Sequence, residues 1–283
     1  MASSDIASPA SGAFRARATE GAPTWAPLIC DALGPAAIEA LLSRAVPYVH
    51  VPRFLDPAWC EEVVRRFDTA LAALPDHQSL KMGPAILDAL ARPVEMFVDA
   101  SDQRTYFAYA AEDAPRVREL FRGGEDPLEK MRGIWRAAGW REVPAVEEHG
   151  PYHPDAVWGL RKASAPPHID AYERDRTVAL SRFERHINYN VYLQSPDAGG
   201  GFAVYRRYAP AATGPGRFEP VLDPAELVGT ERIEHTPAPG DLVIFDAMLY
   251  HEVTPVDGTH RARIQEHSNV LVDPDRREFL LFA

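Results

Sequence analysis

In residues 186–193 (HINYNVYL) apolar and polar positions alternate. Ile187, Tyr189, Val191 and Leu193 fall on one face; Asn188, Asn190, Tyr192 and, just beyond, Gln194 fall on the other. A period of two belongs to a strand whose sides meet different surroundings. The run PDAGGG (196–201) reads as a hairpin turn and FAVYRRY (202–208) as the returning strand. After a polar, Pro-rich loop at roughly 209–224 come a strand near 230–236, the turn PAPGD (237–241), the strand LVIFD (242–246), HEVTPV (251–256), the turn at 257–258 and a strand over 261–272. Short strands separated by frequent turn signals predict a barrel or a sandwich.

The first half follows a different period. Residues 35–45 predict a helix, 47–54 a strand, and Asp56-Pro57 a capped helix start. Cys60, Val63, Val64, Phe67, Ala70, Leu71 and Leu74 then form one helical face, suited to covering a sheet. Residues 84–91 predict a short helix and 104–110 (RTYFAYA) a strand. Asp126-Pro127 opens another helix, with Gly139 as its stop. Residues 1–24, rich in Ala, Ser and Gly, read as a flexible N-terminal tail. The rest, 25–283, reads as one domain: helix-rich over 25–160, with the barrel core at about 161–283. The expected fold is mainly β, a barrel buttressed by N-terminal helices.

Composition narrows the function. The chain has 283 residues, 46% apolar and 25% charged, which excludes a mainly disordered chain, a collagen and a coiled coil. Its net charge, 30 − 41 = −11, repels phosphate backbones and anionic lipid, so neither nucleic acid nor membrane is the expected partner. No apolar run approaches the ~20 residues of a spanning helix, and residues 1–24 lack the ~7–15-residue apolar stretch expected of a secretory signal. Two cysteines, Cys30 and Cys60, suit free thiols in a reducing cytoplasm.

Three positions carry candidate chemistry: His168, Asp170 and His251. In an extended segment, side chains two apart point the same way, so His168 and Asp170 can grip one ion. His251 can bring a third ligand from a neighbouring strand. Two imidazoles and one carboxylate form the facial triad of non-haem Fe(II) oxygenases, which leaves three coordination positions open. Arg261 follows His251 by ten residues, across a turn. An arginine buried at a barrel's end is costly unless it meets a carboxylate.

His168-x-Asp170, Pro239-Gly240-Asp241 before an apolar strand, His251-Glu252-Val253-Thr254-Pro255-Val256 and Arg261, in that order, resemble the 2-oxoglutarate/Fe(II)-dependent oxygenase superfamily, in particular its prolyl-hydroxylase-like and small-metabolite branches. The resemblance covers roughly 165–270, and PYVHVPRFLDPAWCEEVV (47–64) is similar to the strand-then-helix start of many members. It implies a double-stranded β-helix (a cupin-like jelly-roll barrel), Fe(II) held by His168, Asp170 and His251, and the cosubstrates 2-oxoglutarate and O2. Arg261 takes the position of the residue that pairs with the distal carboxylate of 2-oxoglutarate. Tyr192 matches a tyrosine that hydrogen-bonds that carboxylate. Asn190, on the same face, can also touch the cosubstrate. Arg263, on the face expected for Arg261, departs from relatives with a hydroxyl residue there; it can hold a substrate carboxylate or exchange roles with Arg261.

The implied reaction decarboxylates 2-oxoglutarate to succinate and hydroxylates an unactivated C–H bond of a small molecule, with desaturation or ring formation as other outcomes. Radical halogenases of the superfamily carry Gly or Ala in place of Asp170, so an intact carboxylate favours hydroxylation. A peptide or protein hydroxylase and a non-catalytic, metal-binding cupin-like protein are the alternatives. The cluster EEHGPYHPD (147–155) reads as a solvated loop, with a pocket border walled by Trp158 as the alternative, and 173–185 reads as a solvated loop, with a mobile lid as the alternative. His186, His235, His260 and His267 have no supporting context and receive no role. Oligomeric state is not legible.

Overall fold

The computed structural model describes residues 25–74, 80–82, 85–92, 94, 103–170, 178–209, 221–257 and 261–283. The tail, most of the loop at 209–224 and the first part of the proposed lid lie outside the described residues. In chain order the strands are β1 (Leu28–Ile29), β2 (Tyr48–Val51), β3 (Leu80–Met82), β4 (Ala85–Ala89), β5 (Arg141–Glu142), β6 (Val146–Glu147), β7 (Gly150–Pro151), β8 (Ala156–His168), β9 (Arg185–Gln194), β10 (Ala198–Gly199), β11 (Phe202–Tyr208), β12 (Arg232–His235), β13 (Leu242–Asp246), β14 (Leu249–Asp257), β15 (Arg263–Asp273) and β16 (Glu278–Phe282). The helices are α1 (Pro35–Leu42), α2 (Pro57–Ala73), α3 (Gln103–Leu120), α4 (Pro127–Ala137) and α5 (Val178–Ser181).

Strand β8 ties two layers together. Its first half pairs with β15, which continues through β9 and β13 to β2; its second half pairs with β14, which continues through β11 to β12. The result is a double-stranded β-helix, as expected. The alternation along β9 works as read. Ile187, Tyr189, Val191 and Leu193 face the helices, packing in one core with Cys60, Val63, Phe67, Leu128, Met131 and Trp135. The opposite face looks into the lumen, where Tyr192, Tyr48, Val243 and Phe245 meet Phe202, Val204 and Leu249 from the other layer.

The helix starts are capped as the sequence signals. Asp56 accepts from the Ala58 and Trp59 N–H groups at 2.8 and 3.3 Å, and Asp126 from that of Glu129 at 3.3 Å. Gly240, at φ +92, is required in the turn before β13, because a Cβ there would lie 2.4 Å from the Leu55 carbonyl oxygen.

Two expected elements are corrected. Residues 104–110 are not a strand but part of α3. Tyr106, Ala110, Val117 and Leu120 are buried at helical spacing, and the seven-residue window was too short to show it. Residues 85–89 are strand β4, not helix. They pair with β8, and pairing to an existing strand overrides a weak helical preference. The cluster at 147–155 is also not wholly solvated. His153 and Asp155 are buried, with Asp155 bound by Arg118.

One buried acid sits between sheet and helices. Glu266 accepts the Tyr189 hydroxyl at 2.8 Å, and its other oxygen is buried without a partner. Burial pushes its carboxyl up to about 8, outweighing the Tyr189 hydroxyl and Arg118, which act the other way. The folded state therefore binds a proton that the unfolded chain releases near pH 4.5, and stability falls as pH rises from there to about 8. Glu266→Gln keeps the shape and removes the ionisation. In urea unfolding it is expected to match the native protein near pH 5 and to exceed it by a few kcal/mol, in order of magnitude, above pH 8. A difference that stays constant from pH 5 to 9 contradicts this.

Candidate active site

His168 ends β8, and its register partner across the ladder is His251 of β14. The two rings lie 4.3 Å apart, centre to centre. Asp170 follows just past the strand, fixed by its N–H to the Ala247 carbonyl at 3.1 Å. Its Oδ1 is 3.3 Å from His168 Nε2 and its Oδ2 3.1 Å from His251 Nε2. One ligand atom from each side chain falls within 4.8 Å of the others. The structure thus brings together all three residues expected of the triad.

The outer ring nitrogens say what belongs between them. His168 Nδ1 faces the Pro166 carbonyl at 2.6 Å, and His251 Nδ1 faces that of Leu249 at 2.9 Å. A carbonyl only accepts, so each Nδ1 carries a proton, which leaves each Nε2 to bond the Asp170 carboxylate or, once free of its own proton, to ligate a cation. Two imidazole nitrogens and a carboxylate thus converge on one point, a donor set that a cation draws together. Burial would push the Asp170 carboxyl up, but His251 and His168 hold it well below its ordinary value. The Asn188 amide donates to its Oδ2 and orients it.

Deeper along the same face of β9, Tyr192 is buried against Arg263. Arg263 Nη2 donates to the Tyr192 hydroxyl at 3.0 Å, and the guanidinium lies 4.9 Å from the ring centre. Arg263 is 4% exposed and its Nε is buried without a partner. No carboxylate among the described residues forms an ion pair with it. A buried, unpaired guanidinium is costly until an anion meets it.

Arg261 is placed elsewhere. It is exposed, precedes β15, and reaches Gln194 Oε1 at 3.3 Å along an outer groove that it lines with Arg53, Glu61 and Asp241. The parity expected to put both arginines on one face fails because the strand begins at Arg263. Asn190 faces the lumen as expected, with its oxygen taken up by Gln265 Nε2 at 2.7 Å and His267 Nδ1 at 2.9 Å. His267 stacks on Trp158 at 4.8 Å and lies two pairs along β15 from Arg263, on the same face. Burial lowers its pKa to about 4, so it is neutral.

Asn188, Gln265 and His267 received no role from the sequence. Parity would have found them: Asn188 shares the face of Asn190 and Tyr192, and Gln265 and His267 continue that of Arg263.

The class that this fold and site define is the 2-oxoglutarate-dependent non-haem iron oxygenases, and the protein is an enzyme of that class. Residues 32–276 match the family model described as carrier-protein-independent halogenase WelO5, and the chain belongs to that family. Among solved structures it is similar to an N-substituted L-amino acid dioxygenase from Burkholderia ambifaria AMMD, at 18% identity over 88% of this chain and 91% of that one, with TM-score 0.54. The same enzyme in complex with alpha-KG gives 16% identity, the same coverage and TM-score 0.51. The epimerase SnoN, in complex with Fe3+, alpha ketoglutarate and nogalamycin RO, gives 17% identity over 87% of this chain and 99% of that one, with TM-score 0.47. At such identities the likeness concerns the fold. No curated protein matches. Among the described residues no helix is long and apolar enough to cross a membrane.

Proposed function

We propose that the protein hydroxylates an unactivated C–H bond of a free small molecule, converting substrate, O2 and 2-oxoglutarate into alcohol, succinate and CO2. The observation that carries this reading is the intact carboxylate of Asp170 between His168 and His251, in a family described by halogenation. Halogenases of the superfamily leave that position to Gly or Ala; here a charged oxygen, held by Asn188, fills it. The family's description as carrier-protein-independent supports a substrate free of a carrier protein. Both cysteines are free, in keeping with a reducing cytoplasm.

His168 Nε2, His251 Nε2 and an Asp170 oxygen hold Fe(II), and the Pro166 and Leu249 carbonyls keep both rings in the ligating tautomer. When bound, the iron supplies the activation of O2 and the oxidative decarboxylation of 2-oxoglutarate. Arg263, rather than Arg261, binds the distal carboxylate of 2-oxoglutarate, with Tyr192 as a second donor. Asn190 fixes Gln265 and His267 on the face of β15 that carries Arg263. The apolar lumen residues Phe202, Val243 and Phe245 exclude water.

The test needs no knowledge of the substrate. Protein supplied with Fe(II), 2-oxoglutarate and O2 is expected to release succinate slowly even without substrate. That release should require iron, fall to background in His168→Ala and yield no chlorinated product in chloride buffer from any substrate found. Undiminished succinate release by His168→Ala would end the reading.

A further inference from the structure

A second group of metal-ligating side chains lies away from the triad. His50 of β2, His235 of β12 and Asp241, in the turn before β13, each offer a ligand atom, all within 4.8 Å of one another. His50 Nε2 is 2.9 Å from Asp241 Oδ2, and the two imidazole rings are 4.3 Å apart, centre to centre. His235 Nε2 is buried and has no hydrogen-bond partner. We propose that these three residues form a second, structural site for a zinc-class divalent cation, separate from the catalytic iron.

The carboxylate is already set for this. Asp241 Oδ1 accepts the Arg53 N–H at 3.1 Å and Oδ2 that of Ala238 at 3.0 Å, so backbone donors fix it whatever His50 does. His50 is free to exchange its hydrogen bond for ligation, its ring proton passing from Nε2 to Nδ1. His235 has no bond to give up. Ligand bonds of about 2.0–2.1 Å to nitrogen and oxygen at tetrahedral angles set neighbouring ligand atoms about 3.3 Å apart. The His50–Asp241 pair is near that spacing, and the remaining closure is a movement of the His235 ring. Two neutral imidazoles and one carboxylate form a donor set that zinc and its late first-row neighbours take.

The placement gives the site a job. His50 and Asp241 belong to the β2–β13 side of the barrel, and His235 to β12, the last strand of the opposite layer. A cation held by all three pins that edge strand to the other layer. Asp241 also lines the outer groove, which supplies a path from solvent and room for a water as fourth ligand. Arg53 and Arg261 share that groove with Glu61, so attraction comes from ligation and not from the surrounding field.

Equilibrium dialysis of the full chain against Zn2+, with bound metal counted by mass spectrometry, tests this. The native protein is expected to hold two equivalents and His235→Gln one, with affinity for the second ion at least about 100-fold weaker in the variant. The variant His168→Ala/His251→Ala, checked for folding by circular dichroism, is expected to keep one equivalent and to unfold at a higher temperature with zinc; adding His235→Gln removes both effects. Because the decisive difference is between native protein and His235→Gln, it does not depend on the catalytic assignment. An equal count in native protein and His235→Gln overturns the proposal, whatever the native total.

Discussion

Asp170→Gly is expected to lose at least about 100-fold in 2-oxoglutarate-dependent hydroxylation, measured as succinate release and as product from any substrate found. The carboxylate is the only anionic ligand of the triad, and both histidines are set around it at 3.1 and 3.3 Å. Removing it leaves two neutral imidazoles, which weakens iron binding and opens a coordination position. Asn188→Ala is the informative companion. Asn188 touches the carboxylate without ligating, so its loss costs only about 10-fold, by letting Asp170 turn. Full activity in Asp170→Gly contradicts the ligand assignment. A larger loss in Asn188→Ala than in Asp170→Gly contradicts the order of roles.

Arg263→Leu is expected to raise the KM for 2-oxoglutarate about 100-fold or more, while Arg261→Leu changes it by less than about 3-fold. A desolvated, charge-assisted pair is worth several kcal/mol, in order of magnitude, whereas an exposed arginine is screened by solvent. A stability measurement separates ligand binding from a merely structural role. With its Nε unpartnered and no ion-paired carboxylate among the described residues, Arg263 is an uncompensated charge when 2-oxoglutarate is absent. Arg263→Leu should therefore unfold at no lower urea concentration than the native protein without 2-oxoglutarate, and lose the stabilisation that 2-oxoglutarate gives the native protein. Arg263→Lys should recover part of the affinity, because it restores the charge but not the two-pronged geometry. An effect at Arg261 larger than that at Arg263 would return the role to Arg261.

Local pattern carried much of this protein. Alternation over 186–193 sorted Asn188, Asn190 and Tyr192 from the core-facing residues, because a strand's side chains have no choice but to alternate. The Asp-Pro starts of α2 and α4 were legible because capping is settled within one turn. His168-x-Asp170 was legible because two residues of extended chain put both side chains on one side.

What failed depended on neighbours in space. The sequence by itself determined a barrel of short strands, its helical buttress and the His168-x-Asp170 pair, since these follow from periodicity and spacing within a few residues, while His251 joined the candidate triad through the resemblance to the oxygenase superfamily. Only the tertiary structure decided that residues 85–89 extend the sheet, that Arg263 rather than Arg261 is buried beside Tyr192, and that His50, His235 and Asp241 meet at the barrel's edge. Burial, strand ends and encounters between distant strands are set by how the layers close on one another, and no local pattern in the chain encodes that closure.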